Sequence, residues 1–479
     1  MSPPSLTRGS PSTVSLAVSL ISAALVQITA GTIYLFSLYG PQLTDRFNYT
    51  QSQTAFIAAC VSWGTGLAGP LAGQLVDKHS KRPWPIFVVG GSLLGTAYML
   101  ISLTYTGYLS GTSFLIVAAY FAASGVGSSA CYHCALATNL RNWPQHRRGL
   151  AVGIPVGFFG LSAFIFASLA SMIFFEQDET GVFTLNVAAF LWFLAASAVG
   201  VNAIAAALLR DYRYDDDVVE RSREECDDED QAPLLPGHSD VSPDTSTPAT
   251  AIQRSFIDDN PIYRQIDFYL LVITFVTLVG IGLMYIQNVG AMVVSLSGKD
   301  ATPGSSEVQE AQNLHVTLFS LCSCAGRMGT GILSDTVSSR LGVPRLLWTT
   351  VAAFVMLCAC ALMASINKLN ELVAGTVLVG LAFGSIWTST PTQVAEFFGA
   401  HKFATHWGWM TLTPAFGGQL TSLVFGLIYD ANKASSRHCK GSSCFAQTFL
   451  IAGGLCTLSL ISSLILLRRR HPRMFQCAT

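Results

Sequence analysis

Gly73-Gln-Leu-Val-Asp77-Lys78-His-Ser-Lys81-Arg82 is a stretch of this sequence with a counterpart in Gly331-Ile-Leu-Ser-Asp335, which has Arg340 just beyond it. In both places an apolar segment ends with a glycine four residues before an aspartate, and basic residues follow. Glycine lets a neighbouring helix approach closely, while aspartate can cap a partner helix and pair with arginine. A helix end that merely obeys the positive-inside rule is the alternative, but it would not recur at the equivalent place. The repeat therefore indicates two related halves.

The composition indicates a chain that mostly faces something less polar than water. Asp, Glu, Lys and Arg make up 11% of the 479 residues and hydrophobic residues 51%, whereas soluble proteins carry roughly 25% charged residues. The formal net charge is -1, and no large basic face is present. Nucleic-acid binding is therefore excluded as a function class.

Twelve apolar segments are each long enough to cross a bilayer as a helix, which takes about twenty residues. Six precede a polar middle region and six follow it. They run approximately from Ser15 to Tyr39, Thr54 to Val76, Pro85 to Thr106, Ser113 to Thr138, Leu150 to Phe175, Val182 to Leu209, Phe268 to Val294, Leu314 to Leu333, Leu346 to Ile366, Leu372 to Val394, Thr405 to Ile428 and Phe445 to Leu467. The sequence predicts an all-α membrane protein of twelve transmembrane helices in two six-helix bundles.

The predicted bundles cover residues 15–209 and 264–468, with tails at 1–14 and 469–479. Between the bundles, residues 210–263 are acidic and rich in Pro, Ser and Thr. Such a segment buries too little apolar surface to offset its ordering entropy, so we predict a disordered linker. Lys and Arg concentrate after segments two, four, eight and twelve. This bias predicts that both termini and the linker are cytosolic.

The repeated stretch resembles the loop motif of the major facilitator superfamily, which links the second and third helices of each half. The resemblance implies the major facilitator fold, in which two bundles rock around a midplane site. It also implies that the motif residues bias the inward-open against the outward-open state. These gating residues are Gly73, Asp77, Lys81, Arg82, Gly331, Asp335 and Arg340.

A second resemblance rests on Gln27-Ile-Thr-Ala-Gly31-Thr-Ile-Tyr34-Leu-Phe36-Ser-Leu-Tyr39, on Asn142-Trp143-Pro144 and on Glu396-Phe397-Phe398-Gly399. These stretches are similar to the nodulin-like branch of the superfamily, especially to fungal vacuolar homologues of monocarboxylate permeases. The resemblance implies transport across a vacuolar membrane, with the plasma membrane as second choice.

The monocarboxylate transporters have an arginine four residues before the glycine of their eighth helix, and Arg327 fits that spacing. Their first helix has a lysine involved in proton and substrate coupling, where this chain has Leu38. The acidic partner one turn before the arginine is replaced by Ser323. These departures argue against proton-coupled uptake of lactate or pyruvate.

Arg327 is the first candidate for a substrate ligand. It lies roughly 12 Å of helix inward from Asp335, and an unpaired arginine at that depth costs on the order of 3 kcal/mol. It should therefore face a cavity or a partner, and a substrate carboxylate or phosphate could supply the latter. The alternative is a structural arginine tied to the gate or to backbone carbonyls.

Four further residues are candidates for the central site. His133 could carry a proton, or could simply be hydrogen-bonded inside the bundle. Gln27 and Tyr34 in the first segment and Trp387 in the tenth could line the cavity, or could join helices by hydrogen bonds.

Two features outside the twelve apolar segments also carry predictions. Asp230-Gln-Ala-Pro-Leu234-Leu235 resembles an acidic dileucine sorting signal that adaptor proteins read, although chance occurrence in an acidic tract is the alternative. Cys439 and Cys444 flank a polar loop, and could pair in an oxidising lumen or stay as free thiols.

The leading functional hypothesis is a secondary active transporter of a small solute, an organic anion being one candidate. A membrane-embedded nutrient sensor that keeps the transporter fold is the alternative. An enzyme is disfavoured because the sequence shows no metal cluster, nucleophile elbow or phosphate loop. We expect no cofactor and no metal, and a monomer whose partners are the bilayer and a small solute.

Overall fold

The computed structural model describes residues 12–109, 113–177, 183–212, 262–297, 306–432 and 439–472. Within these ranges, 12 helices are long and apolar enough to cross a membrane, as predicted. They are numbered as spans 1 to 12. Span 1 comprises Thr13–Ala30, a 3-10 turn at Gly31–Leu35 and Phe36–Phe47; the others are Gln51–Lys78, Trp84–Thr106, Phe114–Asn142, Arg148–Ile173, Val187–Leu208, Ile266–Leu296, Ser306–Leu341, Leu346–Ser365, Leu369–Phe398, Phe403–Ala431 and Ala446–Arg470.

Span 8 shows how helix bounds differ from predicted bounds. The apolar segment runs from Leu314 to Leu333, but the helix runs over Ser306–Leu341. An apolar segment marks only the part of a helix that fits the hydrocarbon core, whereas helical hydrogen bonds continue into the polar layers on both sides. A short antiparallel hairpin of Phe175–Gln177 and Phe183–Leu185, between spans 5 and 6, was not predicted.

The structure describes the acidic middle region at its two ends. Residues 213–261, and with them the proposed sorting signal, lie outside the described ranges. The backbone just after span 6 is bound by Asn142 of span 4. The Asn142 side chain donates to the Arg210 carbonyl oxygen at 2.8 Å and accepts from the Tyr212 backbone N–H at 2.7 Å. One side-chain amide therefore satisfies two backbone groups just beyond residue 209, where we predicted the first bundle to end.

The two halves meet chiefly along two pairs of helices, span 2 with span 11 and span 5 with span 8, with smaller contacts of span 5 with span 10 and of span 4 with span 11. Glycines make this approach possible. A Cβ atom on Gly73 would overlap the carbonyl oxygen of Ala404, and one on Gly331 would overlap that of Gly149. Both contacts lie at the end of the molecule that carries Asp77 and Asp335, called the cytosolic end below after the charge prediction.

Candidate functional site

A central cavity of about 280 Å³ lies between the two halves. Spans 1, 2, 4 and 5 line it from the first half, and spans 7, 10 and 11 from the second. Its wall is largely apolar, and five aromatic side chains contribute to it: Tyr34, Phe36, Tyr132, Phe159 and Trp387. A mostly apolar cavity with few polar groups is typical of small-molecule sites.

The structure brings three predicted substrate residues, Tyr34, His133 and Trp387, to the cavity wall. Gln27 is not among the lining residues. Its side chain is fully buried and donates to the Tyr132 carbonyl oxygen at 3.2 Å. It therefore joins span 1 to span 4, which is the alternative that the sequence left open.

Arg327 is not among the residues that line the cavity, but its guanidinium lies against the ring of Trp387, which is one of them. Only 4% of its surface is exposed. Its Nη1 donates to the Val156 carbonyl oxygen of span 5 at 3.1 Å, and its Cζ lies 5.8 Å from the Trp387 ring centroid and 5.7 Å from that of Phe383. Aromatic faces stabilise a cation weakly compared with a carboxylate. In the part of the chain that the structure describes, no carboxylate pairs with Arg327.

Unpaired donors accompany this charge. Arg327 Nε and Trp387 Nε1 are both buried, and neither has a hydrogen-bond acceptor among the described residues. Both atoms can only donate. Buried donors without acceptors are uncommon in native proteins, and one of these two belongs to the cation itself, so the region beside this wall of the cavity is complementary to an anion.

His133 connects the halves at the cavity wall. Its Nδ1 lies 2.7 Å from the Ser129 carbonyl oxygen within span 4, and its Nε2 lies 3.2 Å from Thr411 Oγ1 in span 11. The imidazole is 1% exposed and the Tyr132 ring packs edge-on against it at 5.2 Å. It is thus hydrogen-bonded inside the bundle, which is one of the two alternatives that the sequence left open for it. It also borders the cavity.

Asp77 joins span 2 to span 11 at the cytosolic end. Its carboxylate accepts from the backbone N–H groups of Ala404 at 3.3 Å and Thr405 at 2.7 Å, in the first turn of span 11. It also pairs with Arg141 of span 4 at 3.3 Å. A carboxylate at a helix N-terminus satisfies free N–H groups and interacts favourably with the helix dipole. Span 2 of one half thereby caps a helix of the other.

Asp335 repeats this arrangement from the second half. It accepts from the N–H groups of Gly149 at 3.0 Å and Leu150 at 2.7 Å, in the first turn of span 5. It pairs with Arg345 at 2.8 Å. The guanidinium of Arg345 also bonds Glu396, and donates to the Gln145 carbonyl oxygen of the first half at 2.9 Å.

The basic residues of the predicted gate are not the ones that pair. Lys81, Arg82 and Arg340 are exposed, and no ion pair joins them to Asp77 or Asp335 in the described chain. Arg141 and Arg345 take that role instead. In the sequence both counted only as loop charges that set the orientation. Their positions, in the last turn of span 4 and just before span 9, give no local signal of the partner.

The cavity lies further from the cytosolic end than the contacts of Asp77 and Asp335. Along span 2, Gly66 and Ala58 line the cavity and Asp77 follows at the cytosolic end; along span 11, Ala404 comes first and Thr411 lines the cavity. The halves are therefore held together between the cavity and the cytosolic end. Beyond the other end of span 11, a disulfide joins Cys439 to Cys444.

Several known proteins resemble this chain along most of its length. The uncharacterized membrane protein YMR155W of Saccharomyces cerevisiae is 26% identical, covering 92% of this chain and 93% of its own. The probable transporter MCH1 of Gibberella zeae is also 26% identical, covering 90% and 86%.

Solved structures share the fold. The transporter FucP in its outward conformation aligns with a TM-score of 0.57 at 15% identity, covering 94% of this chain and 99% of its own. The proton:xylose symporter XylE aligns with a TM-score of 0.66 at 11% identity, covering 96% of each chain. The sequence profile described as Major Facilitator Superfamily matches residues 16–300 and 304–476. The chain belongs to the major facilitator superfamily, and is a secondary transporter and not an enzyme.

Proposed function

We propose that this transporter carries a small organic anion across the vacuolar membrane, with Arg327 as the ligand of the anionic group. The observation that carries the substrate class is the buried Arg327 guanidinium, which lies against the ring of Trp387 in the cavity wall and has no carboxylate partner in the described chain. One cation favours one negative charge, and the apolar and aromatic cavity favours a substrate with an apolar body.

The contact between Arg327 and Val156 gives anion binding a route to the conformational change. Arg327 belongs to span 8 of the second half and the Val156 carbonyl to span 5 of the first. An anion that takes the Nη1 donor from this carbonyl breaks a hydrogen bond between the halves. A ligand shifts a two-state equilibrium only through contacts that differ between the states, and this exchange is such a difference.

Flux through vesicles that contain the purified protein tests the proposal. Radiolabelled monocarboxylates, dicarboxylates and inorganic phosphate are offered in turn to wild type, Arg327→Gln and Arg264→Gln. Arg264 is an exposed arginine outside the spans and serves as the matched control. We expect saturable flux of a monoanion that falls at least tenfold in Arg327→Gln and is unchanged in Arg264→Gln.

Two other outcomes would redirect the assignment. Equal flux in all three proteins would remove Arg327 from the binding site. Saturable binding of an anion without any flux would instead support the alternative function, a nutrient sensor that keeps the transporter fold.

The vacuolar location is supported by the sequence resemblance and by the acidic dileucine stretch with Asp230, Leu234 and Leu235. We infer that sorting adaptor proteins read this stretch in the linker. A fluorescent fusion in fungal cells should label the vacuolar membrane, and Leu234→Ala with Leu235→Ala should move it to the plasma membrane. The control pair Val218→Ala with Val219→Ala lies in the same linker and should change nothing. A vacuolar label in every variant would exclude the sorting signal.

A further inference from the structure

The end of the Arg327 side chain lies in a recess of span 5. A Cβ atom on Gly160 would overlap Arg327 Nη1 and lie 2.8 Å from its Cζ. Carbon atoms in contact are normally about 3.5 to 4.0 Å apart, so only glycine at this position leaves room for the guanidinium. The same Nη1 donates to the carbonyl oxygen of Val156, one turn earlier in span 5. Gly160 and the Val156 carbonyl are called the recess below.

Gly153, two turns before Gly160 in span 5, makes a different contact. A Cβ atom there would lie 2.8 Å from the Arg327 carbonyl oxygen, which belongs to the backbone. That oxygen also accepts from Thr388 Oγ1 of span 10 at 2.9 Å, so the Arg327 backbone is held between two helices. At Gly160 the obstructing atoms are instead the far end of a flexible side chain. Alanine at that position should therefore displace the guanidinium and leave the helices in place.

Residues of the cavity wall lie close to the recess. Phe159 belongs to the same turn of span 5 and lines the cavity, as does Trp387, against whose ring the guanidinium lies. The charge of Arg327 also interacts with the hydroxyl groups of Tyr34 and Tyr132, two further lining residues. A guanidinium that leaves the recess is therefore expected to meet the cavity at this wall.

The recess makes an anion compete with the protein for Arg327. While Nη1 donates to the Val156 carbonyl, an anion gains this donor only when that hydrogen bond breaks. A hydrogen bond from a charged group changes an equilibrium constant by about tenfold or more. The apparent affinity for the anion falls by the fraction of molecules whose arginine lies outside the recess.

We propose that Gly160 is a positioning residue, which provides the place where Arg327 rests without substrate and so lowers the affinity for the anion. Its effect is to keep the binding of substrate reversible, because the Val156 carbonyl takes the guanidinium back when the anion leaves. This inference rests on the proposed function for its ligand, but the position of the guanidinium can be measured without one.

The first experiment compares anion binding by wild type and Gly160→Ala. Purified protein is titrated with benzoate, a monoanion with an apolar body, or with any anion that the flux assay identified. Because alanine closes the recess, the Kd should fall about tenfold. The concentration for half-maximal flux should fall in parallel, without a gain in maximal rate. Alanine favours a helix over glycine, so the variant should fold. An unchanged or higher Kd would contradict the proposal.

Two further variants show whether the change acts through Arg327. Glutamine in its place ends where the arginine Nε lies, which is 3.5 Å from a Cβ atom on Gly160 and thus an ordinary contact. Gly160→Ala should therefore change nothing in an Arg327→Gln background. Gly157→Ala is the matched control, because its Cβ atom would lie 2.7 Å from Cγ of Met328 in span 8 and would not meet Arg327. A tenfold gain in Gly157→Ala, or in the Arg327→Gln background, would mean that the helices moved, and would overturn the proposal.

The second experiment follows the guanidinium without any ligand. Accessible arginine side chains react with 2,3-butanedione, and mass spectrometry of peptides gives the rate at Arg327. We expect slow reaction in wild type, where this side chain is buried, and reaction several times faster in Gly160→Ala. The exposed Arg264 gives the reference rate in both proteins. If no anion binds to any variant, the proposed function fails and these rates alone decide the recess. Equal rates at Arg327 in the two proteins would exclude it.

Discussion

The guanidinium of Arg345 holds three groups together at the cytosolic end. It pairs with Asp335, bonds Glu396 and donates to the Gln145 carbonyl oxygen across the boundary between the halves. Both Arg345 and Asp335 are buried. Removing one partner of a buried pair leaves an uncompensated charge, which is the costly change in such a site.

Arg345→Gln should therefore lower stability by about 3 to 5 kcal/mol. Arg340→Gln removes an exposed arginine from the last turn of span 8 and should stay within about 0.5 kcal/mol of wild type. Thermal unfolding in detergent measures both. Equal melting temperatures for the two variants would show that the Arg345 contacts do not hold this end together.

Where helices of the two halves pack in pairs, glycine decides whether the halves can close. Gly331 of span 8 lies against the backbone of Gly149 in span 5, without space for a Cβ atom. Gly329 lies two residues earlier in the same helix and has no neighbouring atom within 4 Å of such a Cβ. Both positions gain up to about 1 kcal/mol of helix propensity from alanine, so they differ only in the contact.

Gly331→Ala should separate spans 5 and 8 and open the cytosolic end, whereas Gly329→Ala should leave it closed. Spin labels at the exposed positions His146 and Ser339, one in each half, report this opening as a longer distance. They are introduced in a background whose accessible cysteines are replaced. The same short distance in both variants would mean that the helices can part locally while the end stays closed.

The whole molecule has two equivalent contacts, and both act on the equilibrium between the open and the closed cytosolic end. Asp77 caps span 11, Asp335 caps span 5, and each pairs with an arginine of its own half. When the halves rock apart, both caps must be released together. The contributions of the two aspartates to the closed state should therefore add as free energies.

Asp77→Asn and Asp335→Asn keep a side chain of similar shape but remove the charge from the helix N-terminus. Each should cost the closed state about 1 kcal/mol, which is about a fivefold change in the ratio of open to closed molecules. The double variant should change it about 25-fold. The spin-label distances measure these populations. Full opening in one single variant would mean that the contacts are not equivalent.

The sequence by itself determined the twelve spans, the division into two halves and the repeated aspartates. These follow from the chain alone because about twenty apolar residues fill a bilayer wherever they occur, and because the motif recurs in each half. It also indicated that Tyr34, His133, Trp387 and Arg327 belong near the middle, since each lies well inside an apolar segment.

Only the tertiary structure decided which groups meet. Arg141 and Arg345 pair with the aspartates while Lys81, Arg82 and Arg340 do not, and Gln27 joins two helices outside the cavity wall. Likewise, the contacts of Arg327 with Val156 and of His133 with Thr411 cross between the halves. The physical reason is that apolar burial depends on a residue's own segment, whereas a hydrogen bond or ion pair depends on the rotation and approach of two helices distant in the chain.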